Sequence, residues 1–311
     1  MNVDAVLARY GPPPTTPLAP WLVDARLAVT AAVTKLLEID DGQLDRRWHW
    51  KDDPAGGTEV HYAFYRSIEA LELALGRARR AVSVAGVAPA AAHPFELATA
   101  ARWDLHGLLV PLADTDLDAD PGGAEWTLRQ TLAHIVYVQR AYPAWSSWWV
   151  TRDQNEPLPA QAPEEVGIGF PEEADQGIGS LTEIRDRLDG AMDGAAERMS
   201  ALDESQLGRG ARWSGYAVDV GFRLGRMSSH LQEHTVQVEK TLVMLGRAPR
   251  ECDRLARLAL RAYGRLEGTA YALPPALADA AREPLVLAAD ELATVVAHVR
   301  APGSVTSSDQ P

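Results

Sequence analysis

The sequence predicts an all-α protein built around a four-helix bundle, and three observations support that fold class. The stretch from Asp219 to Gly246 contains no Pro and, at about 1.5 Å per residue, is long enough for a helix of roughly 40 Å. Three further segments with helical periodicity precede it within residues 94–246. Apolar residues in the last segment recur at alternating steps of four and three, which is typical of a helix packed in a bundle. This core stripe consists of Met227, Leu231, His234, Val238, Thr241 and Leu245.

Composition and charge limit the classes of function. The 311 residues are 46% hydrophobic and 23% charged, as in an ordinary globular protein. The formal net charge of −13 argues against nucleic acid and anionic membranes as partners. No apolar run approaches 18 residues, and the N-terminus lacks the apolar core of a signal peptide, so we expect a cytoplasmic protein. Cys252 is the only cysteine, which excludes an internal disulfide and a thiolate metal cluster.

The N-terminal part predicts a pair of helices. Residues 1–17 are rich in Pro and should form an irregular lead-in. Helical periodicity then runs from about 21 to 39 and from about 59 to 84, and a linker of small residues follows. The loop between the helices carries His49 and His61, which we interpret as surface or capping histidines.

The first two helices of the central bundle are predicted at about 94–112 and from Thr127 onward. Thr127 and Gln130 have the T-x-x-Q spacing of a capping box directly after Pro-Gly-Gly. His134 lies about two turns into this second helix on an otherwise apolar turn, where a hydrogen-bonded core histidine would be the usual interpretation of the residue alone. The buried side of the first helix is predicted to consist of Leu97, Ala101, Leu105, Leu108 and Leu112.

A long acidic segment separates the second and third helices of the bundle. Residues 153–175 hold seven carboxylates and neither Lys nor Arg, which favours a solvated flap over carboxylates that engage a ligand. The third helix is predicted at about 181–202. The following segment, GRGARWSGYA, is interpreted as a loop that leads into the fourth helix.

Two more helices are predicted beyond the bundle, at about 251–269 and 284–300, with His298 exposed near the end of the last. The predicted organisation is an N-terminal helical pair at 18–88, the bundle at 94–246, a C-terminal helical pair at 250–300 and a disordered tail at 301–311. The two outer pairs could pack together as a second, metal-free bundle. Packing around the central bundle is equally compatible with the sequence.

His230 and His234 form an H-x-x-x-H pair, which places both imidazoles on one face of the fourth helix, one turn apart. Buried imidazoles need partners for their nitrogens, and the helix has already paired its own backbone groups. A divalent cation that bridges the two rings meets this need. Alternatively, one ring reaches solvent and the other bonds to a neighbouring helix. With His134 from the second helix, three neutral imidazoles would leave coordination positions open for water or substrate, which is typical of a catalytic site.

The residues W-T-L-R-Q-T-L-A-H at 126–134, followed by H-x-x-x-H on the fourth helix, resemble the DinB/YfiT-like superfamily of metal-binding four-helix bundles. The resemblance covers about 94–246, roughly half of the chain. It implies that His134, His230 and His234 are the metal ligands and that the metal is Zn or Ni. Relatives in this superfamily include mycothiol-dependent maleylpyruvate isomerase and bacillithiol S-transferases, so the resemblance implies a low-molecular-weight thiol as co-substrate.

The resulting hypothesis is a metal-dependent, mycothiol-type S-transferase or isomerase that acts on a small molecule. Arg223 and Arg226, two turns and one turn before His230, are candidate substrate-binding residues together with Trp126. Solvated arginines are the alternative. Trp145, Trp148 and Trp149 could line a pocket, although such aromatic clusters commonly serve packing.

Two alternatives remain open at the level of sequence. A hydrolase would use hydroxide on the same metal as nucleophile, with Glu233 or Glu239 as possible bases. A non-catalytic protein would bind a metal or ligand in a stress-related role. The sequence leaves the catalytic residues unassigned and is compatible with a monomer or a homodimer.

Overall fold

The computed structural model describes residues 18–51, 59–166, 170–301 and 305–306. Within them the chain is predominantly helical, as predicted, and carries two small two-stranded sheets. The predicted irregular lead-in at 1–17 lies outside the described residues. None of the described helices combines the length and apolar character that a bilayer crossing needs.

The central bundle consists of four long helices. They are α3 (Ala92–Leu109), α4 (Leu128–Thr151), α5 (Leu181–Met199) and α7 (Val220–Met244), with the short α6 (Glu204–Leu207) before α7. Helix α7 packs against α3 and α4, and α4 packs against α5. The buried side of α5 contains the five predicted stripe residues, Ile184, Leu188, Met192, Ala195 and Met199.

The outer helices are α1 (Pro20–Leu36), α2 (His61–Ala85), α8 (Glu251–Gly268) and α10 (Arg282–Val299), with the short α9 (Pro275–Ala278) between the last two. Helices α1 and α2 both pack against α8 and against α10, so the N-terminal and C-terminal pairs form a second four-helix cluster.

The contact between α3 and α8 joins the two bundles and is the most extensive helix contact among the described residues. Glycines make the close approach possible: a Cβ at Gly264 would lie 2.6 Å from the Cβ of Trp103, and one at Gly107 would lie 2.9 Å from the Cα of Arg257. Helix α3 buries a second side against α8, in addition to the single buried side that the sequence predicted. Leu97, expected inside, is 44% exposed.

The two sheets were not predicted. Strand β1 (Arg47–Trp48) pairs antiparallel with β4 (Val305–Thr306), within the tail that was predicted to be disordered; 302–304 and 307–311 lie outside the described residues. Strands β2 (Gly210–Trp213) and β3 (Tyr216–Asp219) form a hairpin in the predicted loop before α7.

Helix α4 continues through Pro143 to Thr151 and ends just before the acidic segment. One local prediction near these sheets was wrong. His298 is half-buried rather than exposed, because its ring packs edge-on against Trp48 and Trp50 at centroid distances of 5.6 and 5.4 Å.

Candidate metal centre

Helix α4 brings His134 into the bundle. The predicted capping box is confirmed: the hydroxyl of Thr127 accepts from the backbone N–H of Gln130 at 3.2 Å, and Gln130 Oε1 accepts from the N–H of Thr127 at 2.9 Å. This fixes the first turn of α4, and Leu128, Leu132 and Ile135 bury its core face. His134 therefore lies two turns from a defined helix start, at the edge of the buried face.

Helix α7 supplies the other two imidazoles. Asp219 caps it by accepting from the backbone N–H of Phe222 at 2.6 Å. His230 is 4% exposed and lies deeper than His234, which is half-buried. The sequence had assigned His234 to the core stripe. In the structure, the buried face of α7 is rotated relative to the predicted stripe, so that His230 rather than His234 lies in the core.

The three imidazoles converge between α4 and α7. The Nε2 atoms of His134 and His230 are 3.3 Å apart, and the ring centroids of His230 and His234 are 4.2 Å apart. One ligand nitrogen from each ring lies within 4.8 Å of the other two. The structure thus brings together the three histidines that the sequence assigned to one metal site.

The local environment keeps the imidazoles of His230 and His234 neutral. Burial lowers the pKa of His230 to about 3, and the neighbouring His234, His134 and Arg226 lower it further in the same direction. Burial also lowers the pKa of His234 below its usual range. A neutral imidazole is the form that binds a metal, so neither ring has to lose a proton at neutral pH.

Two side chains outside the triad contact the Nδ1 atoms of its rings. Gln237 Oε1 is 2.7 Å from His234 Nδ1, so that nitrogen donates its proton to the amide oxygen and Nε2 keeps its lone pair. A carboxylate oxygen of Glu173 is 3.1 Å from His134 Nδ1, at ion-pair distance although the contact is not aligned as a hydrogen bond. Sequence reasoning missed Glu173, which belongs to the acidic segment that was predicted to be solvated.

The donor set passes a geometric test for a divalent cation. Two ligands at about 2.0–2.1 Å from a tetrahedral zinc ion are about 3.3 Å apart, which is the observed separation between Nε2 of His134 and Nε2 of His230. His230 Nδ1 is buried and has no hydrogen-bond partner among the described residues. A cation at the Nε2 atoms of His134 and His230 would give both of these nitrogens a partner, and His230 Nδ1 would still lack one among the described residues.

The predicted substrate-binding residues lie near the triad in three different settings. Trp126 is 39% exposed, and its ring lies edge-on to His134 at 5.3 Å. Arg226 forms a two-pronged ion pair with Glu233 at 2.8 and 2.9 Å. Arg223 is 7% exposed, bonds to the backbone carbonyl of Arg212 and to Ser146 Oγ, and has no ion pair in the described part of the chain.

The two glutamates considered as bases are committed elsewhere. Glu233 pairs with Arg226, which lowers the pKa of its carboxyl. Glu239 pairs with Arg257 on the opposite side of α7. A second group of possible ligands, Asp45, Glu59 and His61, lies at the surface, where His61 already contacts Glu251 at 2.9 Å.

Comparison with known proteins gives one match. A family model described as the DinB superfamily matches residues 97–238, a segment that begins in α3 and ends in α7 and includes all three histidines. No curated protein and no solved structure shows a significant match.

Proposed function

Since the chain belongs to the DinB superfamily through residues 97–238, we propose that it is a divalent-metal-dependent enzyme of the thiol S-transferase or isomerase type. The observation that carries the proposal is the convergence of three imidazole nitrogens within 4.8 Å of one another. His134, His230 and His234 would hold the cation, which we propose to be Zn or Ni because imidazole ligands suit both.

Bound by the neutral imidazoles of His134, His230 and His234, a divalent cation would supply Lewis-acid chemistry and would lower the pKa of a thiol beside it. The ligands supply no negative charge, so the positive charge of the site remains available to an anionic sulfur. Three protein ligands also leave room for a substrate atom.

The residues around the triad hold the ring protons on the nitrogens that face away from the shared centre. Gln237 Oε1 accepts the proton of His234 Nδ1, and this fixes both the tautomer and the ring orientation. Glu173 would accept the proton of His134 Nδ1 after a small adjustment of its carboxylate, which is 42% exposed and lies on a connecting segment. Nε2 of His134 then lies 3.3 Å from Nε2 of His230, and Nε2 of His234 keeps its lone pair.

Access to the triad supports a small-molecule substrate. The His134 side chain is 23% exposed, and the ring of Trp126 beside it is partly open to solvent. A molecule that approaches His134 from this side would therefore lie beside the ring of Trp126. The net charge of −13 favours such a partner over nucleic acid.

A hydrolase is the second candidate, with water in place of the thiol. The position of Glu173 favours it, because this carboxylate is partly exposed and close to His134, where it could accept a proton from an attacking water. Glu233 and Glu239 are less suited to that role, since each already forms an ion pair with an arginine.

Metal analysis of purified protein, followed by a conjugation assay, tests the proposal. The assay would combine mycothiol or glutathione with 1-chloro-2,4-dinitrobenzene. We expect about one metal ion per chain in the wild type and loss of both metal and conjugation in the His134→Ala, His234→Ala double variant. A double variant at the exposed His49 and His93 serves as the matched control.

Three outcomes separate the alternatives. Metal that survives the double substitution at 134 and 234 would show that the triad is not the site. Metal-dependent ester or amide hydrolysis without thiol conjugation would replace the transferase by the hydrolase. Stoichiometric metal with neither activity would support a non-catalytic binding protein.

A further inference from the structure

A cavity of about 430 Å³ lies beside the histidine triad. Helix α4, the β2–β3 hairpin, residues 160–162 and Arg223 of α7 line it, it is open to solvent on one side, and its volume is within the range of small-molecule sites. Five aromatic side chains contribute to its lining: Tyr137, Tyr142, Trp145, Trp149 and Trp213. We call this space the aromatic cavity.

The charge of the aromatic cavity is opposite to that of the whole chain. Arg212 and Arg223 both line it, and its lining contains no Asp or Glu. The chain as a whole has 43 acidic and 30 basic residues, so this lining differs from the whole chain in the sign of its charge. The aromatic cavity is therefore a local site of positive charge.

Neither arginine has a charged partner in the described part of the chain. Arg223 donates to Ser146 Oγ and to the backbone carbonyl of Arg212, and Arg212 donates to the backbone carbonyl of Pro159. All of these acceptors are neutral. Arg223 also stacks on the ring of Trp213 at 5.2 Å, which holds its guanidinium at the cavity wall.

A buried cation with only neutral partners is costly, because it gives up hydration without gaining a counterion. Burial lowers the pKa of Arg223 to about 10, so the guanidinium still carries its charge at neutral pH. Arg226 provides the contrast on the same helix, since Glu233 neutralises it at the surface. Arg223, and not Arg226, is therefore the arginine that lacks a counterion in the described part of the chain.

Tyr142 connects the aromatic cavity with the triad. Its side chain lines the cavity, and its ring lies edge-on to His230 at 5.4 Å. Arg223 precedes His230 by seven residues on α7, which corresponds to two turns, or about 10 Å, along one face of the helix. A ligand anchored at Arg223 could therefore reach the triad with a body about the length of one or two aromatic rings.

We infer that the aromatic cavity binds the substrate as an aromatic organic anion, with its carboxylate at Arg223 and Arg212 and its flat body against the aromatic lining. The reactive end of the substrate then points toward the triad. This orientation rests on the proposed function. The guanidinium fork suits a carboxylate because it can donate two parallel hydrogen bonds.

Calorimetric titration of the metal-free, full-length protein tests this inference. The probe is 2-naphthoate, and 2-naphthamide is its neutral match in shape. We expect the wild type to bind 2-naphthoate at least about tenfold more tightly, since a hydrogen bond to a charged group contributes that much. Equal affinity for the two probes would overturn the inference without the use of any variant.

Variants then assign the charge to its residues. Arg223→Gln and Arg212→Gln should each reduce the preference for the anion, and Arg223→Lys should restore part of it. Arg226→Gln is the matched control on the same helix and should retain the full preference. If Arg226→Gln removes the preference, or Arg223→Gln and Arg212→Gln both preserve it, the assignment is wrong.

Two further arms separate this inference from the proposed function. The His134→Ala, His234→Ala double variant should still bind 2-naphthoate, because its anchor does not involve the triad. Thiol conjugation by a wild type that shows no preference for 2-naphthoate would remove this inference and leave the proposed function standing. Glutathione that binds in place of 2-naphthoate, with loss of binding in Arg223→Gln, would assign the cavity to the thiol and contradict an aromatic substrate.

Discussion

The protein buries histidine in two polar clusters that have very different surroundings. His106 lies in an ionic cluster between the two bundles, where its Nε2 is 2.8 Å from Asp189 and Arg185 donates to its Nδ1. His230 lies in the triad, where its nearest polar neighbours are other imidazoles and its Nδ1 has no partner among the described residues. The members of the ionic cluster are Arg26, Arg102, His106, Arg185, Asp189, Asp193 and Glu267.

This difference in surroundings distinguishes a structural cluster, whose charges are paired within the protein, from a cluster suited to bind a ligand. The ionic cluster contains three arginines and three carboxylates, so its charges balance within the protein. It draws residues from α1, α3, α5 and α8 and therefore connects the outer bundle with the central one. The triad contains three bases and no buried acid. Gln237 and Glu173 contact the Nδ1 atoms of His234 and His134, but the Nε2 atoms of His134 and His230 face each other, and a cation from outside the chain would give both of them a partner.

The largest effect is expected when the balance of the ionic cluster is broken. Glu267 is fully buried and accepts from Arg26 at 2.7 Å, from Arg102 at 2.6 Å and from Trp103 Nε1 at 2.8 Å. Glu267→Gln should lower the free energy of unfolding by roughly 3 kcal/mol, because two buried cations lose their shared partner. Urea denaturation measures this.

The control for this substitution is Glu72→Gln. Glu72 forms an exposed ion pair with Arg265, and its loss should cost less than about 1 kcal/mol. Metal content should be the same in both variants and in the wild type. A loss of stability that is equal at the two positions would contradict the distinction between buried and exposed pairs.

The triad should respond to a ligand where the ionic cluster does not. Zinc at about a hundredfold excess over its dissociation constant should stabilise the wild type by about 2.7 kcal/mol, because it binds the folded state. The same addition should leave the His134→Ala, His234→Ala double variant unchanged, and a chelator should reverse the effect. Thermal unfolding with and without the metal measures this. Equal stabilisation of both proteins would place the metal elsewhere.

Glu173 tests whether the triad extends beyond its three rings. Glu173→Gln should weaken metal affinity by about 10–100-fold, the usual consequence of removing a carboxylate that orients a ligating histidine. Glu172→Gln is the neighbouring control, since that side chain is exposed and does not contact the triad. Competition with a chromophoric chelator gives both affinities. Identical affinities in the two variants would show that Glu173 is a solvated residue of the flap.

Much of the fold was predictable because helices carry local sequence signals, such as capping motifs and apolar periodicity. The T-x-x-Q spacing fixed the start of α4, and the stripe of α5 followed from the period of its apolar residues. The fourth helix and its H-x-x-x-H pair followed from the same kind of pattern. The convergence of His134 with this pair followed from the resemblance and not from spacing.

The features that the sequence did not reveal depend on contacts between distant segments. Glu173 is 39 residues from His134 in the chain, and nothing in its acidic surroundings distinguishes it. Arg226 and Arg223 look alike in sequence, and only the position of Glu233 separates a paired arginine from an unpaired one. The β2–β3 hairpin did leave a signal, because Ser214 and Gly215 form a two-residue turn in which both have positive φ.

The smallest expected effect at neutral pH comes from His230→Leu in metal-free protein. Leu has a similar volume and needs no hydrogen bond, so the free energy of unfolding at pH 7 should change by less than about 1 kcal/mol. At pH 5 the variant should be the more stable of the two. The folded pKa of His230, about 3, lies below the unfolded value of about 6.5, so the unfolded state alone binds this proton between those values.

The wild type therefore loses up to about 1.4 kcal/mol per pH unit through His230 as the pH falls below 6.5, and the variant does not. The ionic cluster contributes equally in both proteins: burial lowers the pKa of His106 below its usual range, while Asp189, whose pKa burial alone would raise, is held well below its usual range by His106 and Arg102 and responds only at lower pH. Urea denaturation at pH 7 and pH 5 in the presence of a chelator measures the difference. His93→Leu, at a position 71% exposed, should follow the wild type. Parallel curves for His230→Leu and the wild type would mean that the inner imidazole is not held neutral by its burial, and the contrast between the two clusters would then disappear.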